Sequence, residues 1–490
     1  MFYTFFLFAL LFFAFKYVKK LNVTSLNSWI LPLAFSLKVL VGFVFLYIYT
    51  DIYGKGTLSA DAGVFMAESE ILNAVFYTSP LDYLKLMSGL GNQQELMLTY
   101  LQDTSHWDAG AQTLINDNRN IVRVHSLFHF ISFGNTANHI IAMCFISTIA
   151  LKQLFLTLKE WTLLSNRILF LSFLLLPSLL FWSSGILKEP FMFLGLSLLL
   201  RGLFDKTIST KKNWSYTLLG ILLLIGFKPY VLFAMIPGLV FYILYNYLTK
   251  KRIIASLLIL FSLGIVSLFI FSKQRDKIIH VLSRKQFDFK NVGKGGVHAM
   301  ADSNFYFFRQ DQIADLIIEG DSVSLSKEIN ALVLQHGGMK KPIPITLQPS
   351  GEKWFIYFQN LQSDGFIEVT LINDSFTQLL KNIPEALMNS LLRPFISDPG
   401  GWLKYPAMIE TLLLFVFLIS AIVKRRKLSK NQKALIIGII LSIVTLSLLI
   451  GWVTPVLGAI VRYRIPTYLG ILVIAVLVIN DGGDEKRDLR

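Results

Sequence analysis

The stretch YPAMIETLLLFVFLISAIV (405–423), followed by KRRKLSKNQK (424–433) and ALIIGIILSIVTLSLLIGW (434–452), sets the pattern of the whole chain. Two apolar runs, each close to the roughly 20 residues that cross a bilayer as a helix, are joined by a connector rich in lysine and arginine. Because positive residues concentrate in cytoplasmic loops, this connector is predicted to lie in the cytoplasm.

The same alternation recurs along the chain and predicts eleven apolar spans. The spans are 1–15, 29–50, 136–158, 166–182, 190–204, 214–227, 231–248, 253–272, 405–423, 434–452 and 465–479. Basic residues mark the other connectors on the cytoplasmic side, namely Lys16, Lys19, Lys20, Lys152, Lys159, Arg167, Arg201, Lys206, Lys211, Lys212, Lys250, Lys251 and Arg252. This threading predicts an N-terminus outside, a C-terminus in the cytoplasm, and two long external segments at 51–135 and 273–404.

The composition favours a polytopic, all-α membrane protein. Of 490 residues, 54% are hydrophobic and 16% are charged, and the mean hydropathy is +0.57. The net charge of +15 is spread over the connectors rather than gathered in one patch, so the expected partner is the lipid bilayer and not a nucleic acid. The single cysteine, Cys144, excludes an intrachain disulfide.

The threading predicts five regions. Residues 1–28 form an N-terminal anchor helix, retained because no cleavage site precedes Lys16, and a cytoplasmic turn. Residues 29–272 form a transmembrane module that includes the loop 51–135, and 273–404 form a small α+β extracytoplasmic domain. Residues 405–480 hold the C-terminal transmembrane helices, and 481–490 form a cytoplasmic tail.

Both external segments carry local patterns. Helical spacing of apolar residues predicts surface helices at 61–76, 83–87, 96–101 and 121–133, with Glu68 and Glu70 on the polar side of the first. In the second segment the glycine-rich run 284–304 indicates a mobile loop. We further predict helices at 311–319, 325–335 and 384–392, and strands at 354–359 and 366–372 joined by a turn at 362–365.

Asp61 is the first candidate catalytic residue. It follows the second span by about ten residues, where a carboxylate near the interface suits the role of a general base. The alternative is an ordinary residue at the start of a helix. Asp51 and Asp108 are weaker rivals for the same role.

The pair Lys188 and Glu189 is the second candidate, in the hairpin between the fourth and fifth spans. A lysine beside a carboxylate at the mouth of a span suits phosphate binding together with positioning of a sugar hydroxyl or a metal. The alternative is helix capping, since an acidic residue and Pro190 both favour a helix N-terminus.

Basic residues on the outer side form the third candidate group. Arg462, Tyr463 and Arg464 precede the last span, and two arginines that flank a tyrosine suit a phosphate or diphosphate clamp. Lys228 and Arg393 could add positive charge to the same site. The alternative is that the arginines only anchor the helix at the interface.

Three histidines raise the question of a metal. His125 and His129 are spaced to share a helix face, and His139 follows nearby. A zinc site needs further ligands that the sequence does not place, so the metal is left unknown.

With this threading and these clusters, the chain resembles bacterial GT-C membrane glycosyltransferases. The resemblance is carried by Asp61 in the first long external loop, by Glu189 at the next external turn, and by the Arg462-Tyr463-Arg464-Ile465-Pro466 element before a late span. It covers 29–272 well and the remainder loosely. It implies a multi-pass enzyme of the bacterial inner (plasma) membrane, similar to the mannosyltransferases and arabinosyltransferases of that superfamily. Such an enzyme takes a sugar from a polyprenyl-phosphate carrier and transfers it to a glycan, lipid or protein acceptor at the outer face.

The resemblance implies Asp61 as general base, Glu189 as second carboxylate, and Lys188 with the arginines as phosphate ligands. The loop lacks an acidic pair beside Asp61, so no cofactor is assigned and a divalent cation stays open. Three other functions also stay open: a surface polysaccharide (O-antigen type) polymerase or ligase, a lipid-linked glycan transporter, and a structural protein.

Overall fold

Several helices are long and apolar enough to span a membrane, which is consistent with the predicted polytopic membrane protein. The computed structural model describes residues 2–89, 93–102, 104–107, 116–205, 207–248, 252–270, 272–301, 304–335 and 343–480. Within these ranges five helices are long and apolar enough to cross a bilayer: Ile30–Ile52, Thr136–Leu158, Pro229–Tyr247, Lys404–Val423 and Lys430–Val453. A sixth span is formed if the pair Leu457–Tyr463 and Ile465–Val478, bent by 49°, crosses as one. The count of eleven spans stays a prediction, and the tail 481–490 lies outside the described residues.

The chain is mostly helical, and within the described residues its strands lie in one region between two groups of helices. The first helices are α1 (Phe2–Tyr17), α2 (Ile30–Tyr47), α3 (Ala60–Thr78), α4 (Pro80–Ser88), α5 (Gln93–Tyr100), α6 (Asp117–Ser132), α7 (Thr136–Leu158), α8 (Asn166–Leu174), α9 (Pro177–Trp182), α10 (Glu189–Phe204), α11 (Thr210–Phe227), α12 (Pro229–Tyr247), α13 (Arg252–Ile270) and α14 (Ser272–Lys294). The strands are β1 (Gly296–Ala301), β2 (Asn304–Arg309), β3 (Leu316–Glu319), β4 (Ser322–Leu325), β5 (Ile329–Gln335), β6 (Ile343–Leu347) and β7 (Trp354–Asn360). The last helices are α15 (Phe376–Lys381), α16 (Ile383–Leu391), α17 (Lys404–Val423), α18 (Lys430–Val453), α19 (Leu457–Tyr463) and α20 (Ile465–Val478).

The chain divides into two compact units. Unit 1 comprises Met1–Ile236, Val416–Ile436 and Tyr468–Arg490. Unit 2 comprises Pro237–Phe415 and Ile437–Thr467.

Close packing in unit 1 depends on glycines where helices meet. A Cβ atom on Gly220 of α11 would lie 2.5 Å from the Leu199 amide nitrogen and 2.8 Å from the Gly195 carbonyl oxygen of α10. Small residues of this kind let the backbones of neighbouring helices approach closely. The α10–α11 hairpin therefore forms a tight pair that brings the start of α10 and the end of α11 together.

The basic connectors of unit 1 meet at one end of its helices. Lys152 Nζ donates a hydrogen bond to the Lys20 carbonyl oxygen (2.5 Å), and an Arg426 guanidinium nitrogen donates to the Trp161 carbonyl oxygen (2.7 Å). Trp161 Nε1 in turn donates to the Phe204 carbonyl oxygen (3.3 Å). These contacts agree with the predicted placement of the connectors on one side, and the side that faces the cytoplasm stays a prediction.

The predicted span 166–182 is wrong as a continuous helix. It consists of α8 and α9, which are separated at Leu175 and Leu176. Leu176 has an extended backbone (φ −66°, ψ 108°) and precedes Pro177. Proline has no amide hydrogen and disfavours the helical conformation of the residue before it, so the helix must stop and restart here.

Unit 2 contains an antiparallel seven-stranded sheet, curved into a half-barrel, with the order β3-β4-β7-β1-β2-β5-β6. Its core is an apolar layer that includes Val297, Phe308, Val323 and Trp354. Gly296 has φ +123°, and a side chain there would collide with the Phe308 carbonyl oxygen of the neighbouring strand. Glycine is therefore required where β1 leaves α14 and joins β2.

Several predictions for the external segments are wrong. The predicted mobile loop 284–304 is wrong over its described residues, which form the end of α14, the strand β1 and the first residue of β2. The helix predicted at 311–319 exists only as a short 3₁₀ helix, Gln310–Asp315, which is followed by the strand β3. Residues 325–335 are not a helix. Residues 325–335 contain β5, in which Ile329, Ala331 and Val333 are buried at alternate positions, as in a strand. Residues 366–372 form no strand beyond a single bridge between Phe366 and Val456. The strand at 354–359 is confirmed.

The other predicted helices of the external segments are confirmed, with ends that differ by a few residues. Helices α3, α4, α5 and α6 correspond to the predictions at 61–76, 83–87, 96–101 and 121–133, and α16 corresponds to the one at 384–392. Helix α6 begins four residues before its predicted start, because Asn116 caps it by accepting hydrogen bonds from the Asn118 and Arg119 amides.

Candidate functional site

The candidate residues of unit 1 lie around the adjoining ends of α10, α11 and α6 and the start of α3. Lys188 immediately precedes α10, Glu189 is its first residue, and Lys228 ends α11. Asp61 lies in the first turn of α3. Arg393, Arg462, Tyr463 and Arg464 belong to unit 2.

Glu189 and Lys228 form a buried ion pair. Lys228 Nζ lies 3.0 Å from Glu189 Oε1, and the side chains are 3% and 1% exposed. Glu189 also lies where the partial positive charge of the helix N-terminus favours a carboxylate. Two charges removed from water are tolerated when each neutralises the other, so this pair fastens the open end of the α10–α11 hairpin.

Lys188 connects α10 to the first turn of α6. Its ammonium group donates hydrogen bonds to Asp117 Oδ2 (2.5 Å) and Asn118 Oδ1 (2.6 Å). The same nitrogen lies 5.8 Å from the centre of the Phe65 ring on α3. Lys188 therefore sits where three helices meet, with part of its charge neutralised by Asp117.

Asp61 is exposed and lies one helical turn before Phe65. The loop before it is held tightly, because Ser59 Oγ donates to the Tyr49 carbonyl oxygen (2.6 Å). Ala60 has φ +54°, an uncommon backbone conformation for a residue with a side chain. This tight loop fixes where α3 begins and brings Asp61 to the same region as Lys188.

The rivals of Asp61 are placed differently. Asp51 is exposed in a π-helical turn, Ile48–Ile52, that extends α2. Asp108 lies outside the described residues, although the neighbouring Trp107 is buried.

Glu68 is a functional candidate that the sequence interpretation missed. We expected it on the polar side of α3 with Glu70, but Glu68 is buried and only Glu70 is exposed. Its carboxylate accepts hydrogen bonds from the Ser105 amide (2.7 Å) and the His106 amide (3.1 Å), and it lies 2.8 Å from His106 Nδ1. A buried carboxylate with three such neighbours orders the segment 104–107 against α3.

Two buried arginines on α6 are also candidates that the sequence interpretation missed. Arg119 Nε donates to the His106 carbonyl oxygen (2.8 Å) and Arg123 Nε donates to the Leu86 carbonyl oxygen (3.0 Å). Both guanidinium groups lie within 6 Å of the Trp107 ring, at 5.7 and 5.9 Å. Burial, and then the nearby charge of Arg119, lowers the pKa of Arg123 to about 10. Helix α6, whose first turn accepts the hydrogen bonds of Lys188, therefore carries two further buried positive charges.

The three histidines come together but serve as hydrogen-bonding groups. His125 Nδ1 lies 2.9 Å from His139 Nδ1, Ser132 Oγ lies 2.7 Å from His139 Nε2, and Ser69 Oγ lies 2.9 Å from His129 Nε2. Burial, reinforced by the other two imidazoles, holds the pKa of His125 well below its usual value, and burial also lowers the pKa of His129. Within the described residues no group of three or more His, Cys, Asp or Glu side chains is arranged to hold a metal ion.

Lys38 is a charged candidate inside a span. It lies in Ile30–Ile52, is 1% exposed, and donates a hydrogen bond to Ser183 Oγ (2.8 Å) in the buried turn 183–188. No carboxylate of the described residues lies within ion-pair distance of it. Ionisable side chains at membrane depth usually mark functional positions, and the sequence signal was the lysine that interrupts the second apolar run.

Two candidate arginines of unit 2, Arg393 and Arg464, bind other groups of the protein. Arg464, at the bend between α19 and α20, is fully buried and donates hydrogen bonds to the Arg393 carbonyl oxygen and to Thr411 Oγ1 (3.1 Å). Arg393 forms an ion pair with Asp398. Arg462 and Tyr463 lie in the last turn of α19 and are partly exposed. A phosphate clamp that uses Arg464 stays a prediction. The burial of the Arg464 side chain favours a structural role for this residue.

Comparison of the chain with protein-family models, with curated proteins and with solved structures finds no match in any of the three.

Proposed function

We propose that this chain is a GT-C-type membrane glycosyltransferase that moves a sugar from a polyprenyl-phosphate carrier to a glycan, lipid or protein acceptor. In this proposal it crosses the bacterial inner membrane eleven times, with its N-terminus outside, and acts at the extracytoplasmic face. One observation carries the proposal: the exposed Asp61 carboxylate lies one helical turn from Phe65, whose ring contacts Lys188 at the meeting point of α3, α6 and α10.

The reaction needs a base and a group that stabilises a leaving phosphate. Asp61 takes the proton of an acceptor hydroxyl as its oxygen attacks the anomeric carbon of the donor sugar. The bond between that carbon and the phosphate oxygen breaks, and the carrier phosphate leaves with the electron pair. The positive charge that develops on the sugar resembles that in glycoside hydrolysis.

The surrounding charges suit this chemistry. Lys188 supplies positive charge beside Phe65, one helical turn from Asp61, and Arg119 and Arg123 supply positive charge on α6. Their hydrogen bonds to Asp117, Asn118 and main-chain carbonyls hold the three side chains in place. Fixed positive charge stabilises a departing phosphate without reorganisation during the reaction. The Glu189–Lys228 pair supports the geometry by fixing the end of the hairpin that positions Lys188.

The test compares Asp61→Asn with Asp51→Asn, two exposed acidic residues near the end of the second span. Purified protein is incubated with undecaprenyl-phosphate-linked hexoses and pentoses labelled in the sugar, and release of the free carrier is measured. We expect Asp61→Asn to abolish transfer while Asp51→Asn retains it. Full turnover by Asp61→Asn would reject the proposed base.

A different outcome would indicate the runner-up function. If Arg393→Gln and Arg462→Gln abolish activity while Asp61→Asn retains it, a surface polysaccharide polymerase or ligase fits better than a transferase with a carboxylate base.

A further inference from the structure

Helix α14 presents an apolar stripe to solvent beside its packed face. Ile279, Gln286 and Gly293 are buried and face the rest of unit 2. On an adjoining side Ile278, Val281, Phe289 and Val292 are 60%, 45%, 37% and 39% exposed. At about 100° per residue these four side chains fall within an arc of about 80°. They form one continuous stripe, which we call the outer stripe of α14.

Positive charge accompanies this stripe. Helix α14 contains seven lysines and arginines and two aspartates, a net charge of +5. Some of these charges are neutralised: Arg284 pairs with Asp288, and Lys290 and Lys294 pair with Glu368. Lys273, Lys277 and Lys285 are exposed, and Lys285 lies within the arc of the outer stripe.

The position of α14 in the chain adds a second argument. It follows the apolar helix α13 (Arg252–Ile270) after a single residue. A helix that begins where an apolar helix ends, with an exposed apolar stripe flanked by lysines, has the chemistry of a helix lying in the headgroup region of a bilayer. Clusters of exposed lysine beside a membrane segment attract anionic lipids.

We propose that the outer stripe of α14 is a binding surface for anionic phospholipids of the surrounding bilayer. Ile278, Val281, Phe289 and Val292 enter the boundary between headgroups and acyl chains, and Lys273, Lys277 and Lys285 contact the phosphates. The surface anchors the sheet of unit 2 to the membrane, because the buried face of α14 packs against that unit. This inference is independent of the proposed transferase activity.

The test measures the thiol accessibility of the outer stripe in the full-length protein. Cys144 is buried, so Val281→Cys and Val292→Cys each add one accessible thiol. Ile317→Cys, on the exposed strand β3, is the matched control at 46% exposure. Labelling by a charged maleimide is compared in detergent, in phosphatidylcholine vesicles, and in vesicles that contain phosphatidylglycerol.

We expect at least fivefold slower labelling of both stripe variants in phosphatidylglycerol vesicles than in detergent, with no change in the control. Glutamine at any one of Lys273, Lys277 and Lys285 should weaken this protection, and the triple variant should be labelled in vesicles at the rate seen in detergent; added salt should act in the same direction. Labelling that is equal in detergent and in both kinds of vesicle would overturn the proposal. Protection that persists in detergent would also overturn it, since it would assign the stripe to a second copy or a bound protein.

Discussion

Breaking the buried pair between Glu189 and Lys228 should weaken unit 1 substantially. The perturbation is Glu189→Gln or Lys228→Met, either of which leaves one charge buried without its partner. Loss of one member of a buried ion pair costs about 3–5 kcal/mol. For a unit of this size each kcal/mol lowers the melting temperature by about 2–4 °C, so each single variant should melt roughly 6–20 °C below the parent.

A double-mutant cycle separates the pair from other effects of the two substitutions. Glu189→Gln also removes a negative charge from the N-terminus of α10, a loss that the Lys228→Met variant does not share. If the pair itself stabilises the hairpin, the double variant should be markedly more stable than the sum of the single losses implies.

The assay is thermal unfolding in detergent, followed by the helical circular dichroism signal. Lys353 and Glu319 form the control pair, since their nitrogen and oxygen are 2.6 Å apart but both side chains are largely exposed. Lys353→Met should melt with the parent. Strictly additive losses in the cycle, or a loss for Lys353→Met as large as for Lys228→Met, would refute the reasoning.

Three further predictions concern the melting temperature of the protein. Lowering the pH from 7.5 to 5.5 should lower the melting temperature. The pKa values of His125 and His129 are lower in the folded protein than in the unfolded chain, so below pH 6.5 the unfolded chain binds more protons than the folded protein and is favoured by acid. The expected loss from His125 is about 1.4 kcal/mol for each pH unit below 6.5, and His129 adds to the loss in the same direction. A slope unchanged in His125→Gln would contradict the role of that residue. Gly220→Val should separate α10 from α11 and lower the melting temperature, whereas Gly226→Ala, whose Cβ would meet only Asn120 at 3.6 Å, should leave it unchanged; equal melting of the two would contradict the packing argument. Arg464→Lys should destabilise more than Arg462→Lys in the same melting assay, since a lysine cannot reproduce the forked hydrogen bonds of the buried guanidinium.

Charge and hydropathy predicted the membrane class and the surface helices, because both depend on local composition. The alternation of apolar runs with basic connectors identified Ile30–Ile52, Thr136–Leu158 and Lys404–Val423 as spans. Apolar spacing likewise predicted α3 and α6. The break between α8 and α9 was not predicted, because the apolar run continues through Pro177 although the helix is interrupted there.

Tertiary contacts decided the rest. Residues 329–334 are apolar except for Asn330, a pattern that fits a helix or a strand, and pairing with β2 and β6 makes them a strand. Glu68 was predicted on the polar side of α3 because it lies away from the apolar stripe of the helix, yet Ser105 and His106, 37 and 38 residues later in the chain, cover it. The Glu189–Lys228 pair likewise joins residues that only the α10–α11 hairpin brings together.

The two outermost strands of the sheet, β3 and β6, are built to discourage the addition of another strand. Pro344 lies within β6 opposite Leu332 of β5, and its nitrogen has no hydrogen to offer an incoming chain. Strand β3 is only four residues long and carries Glu319, a charge that an added apolar strand would have to cover. Overproduction of this chain should therefore not seed cross-β fibrils from the sheet, and removal of Pro344 is the change most apt to permit them.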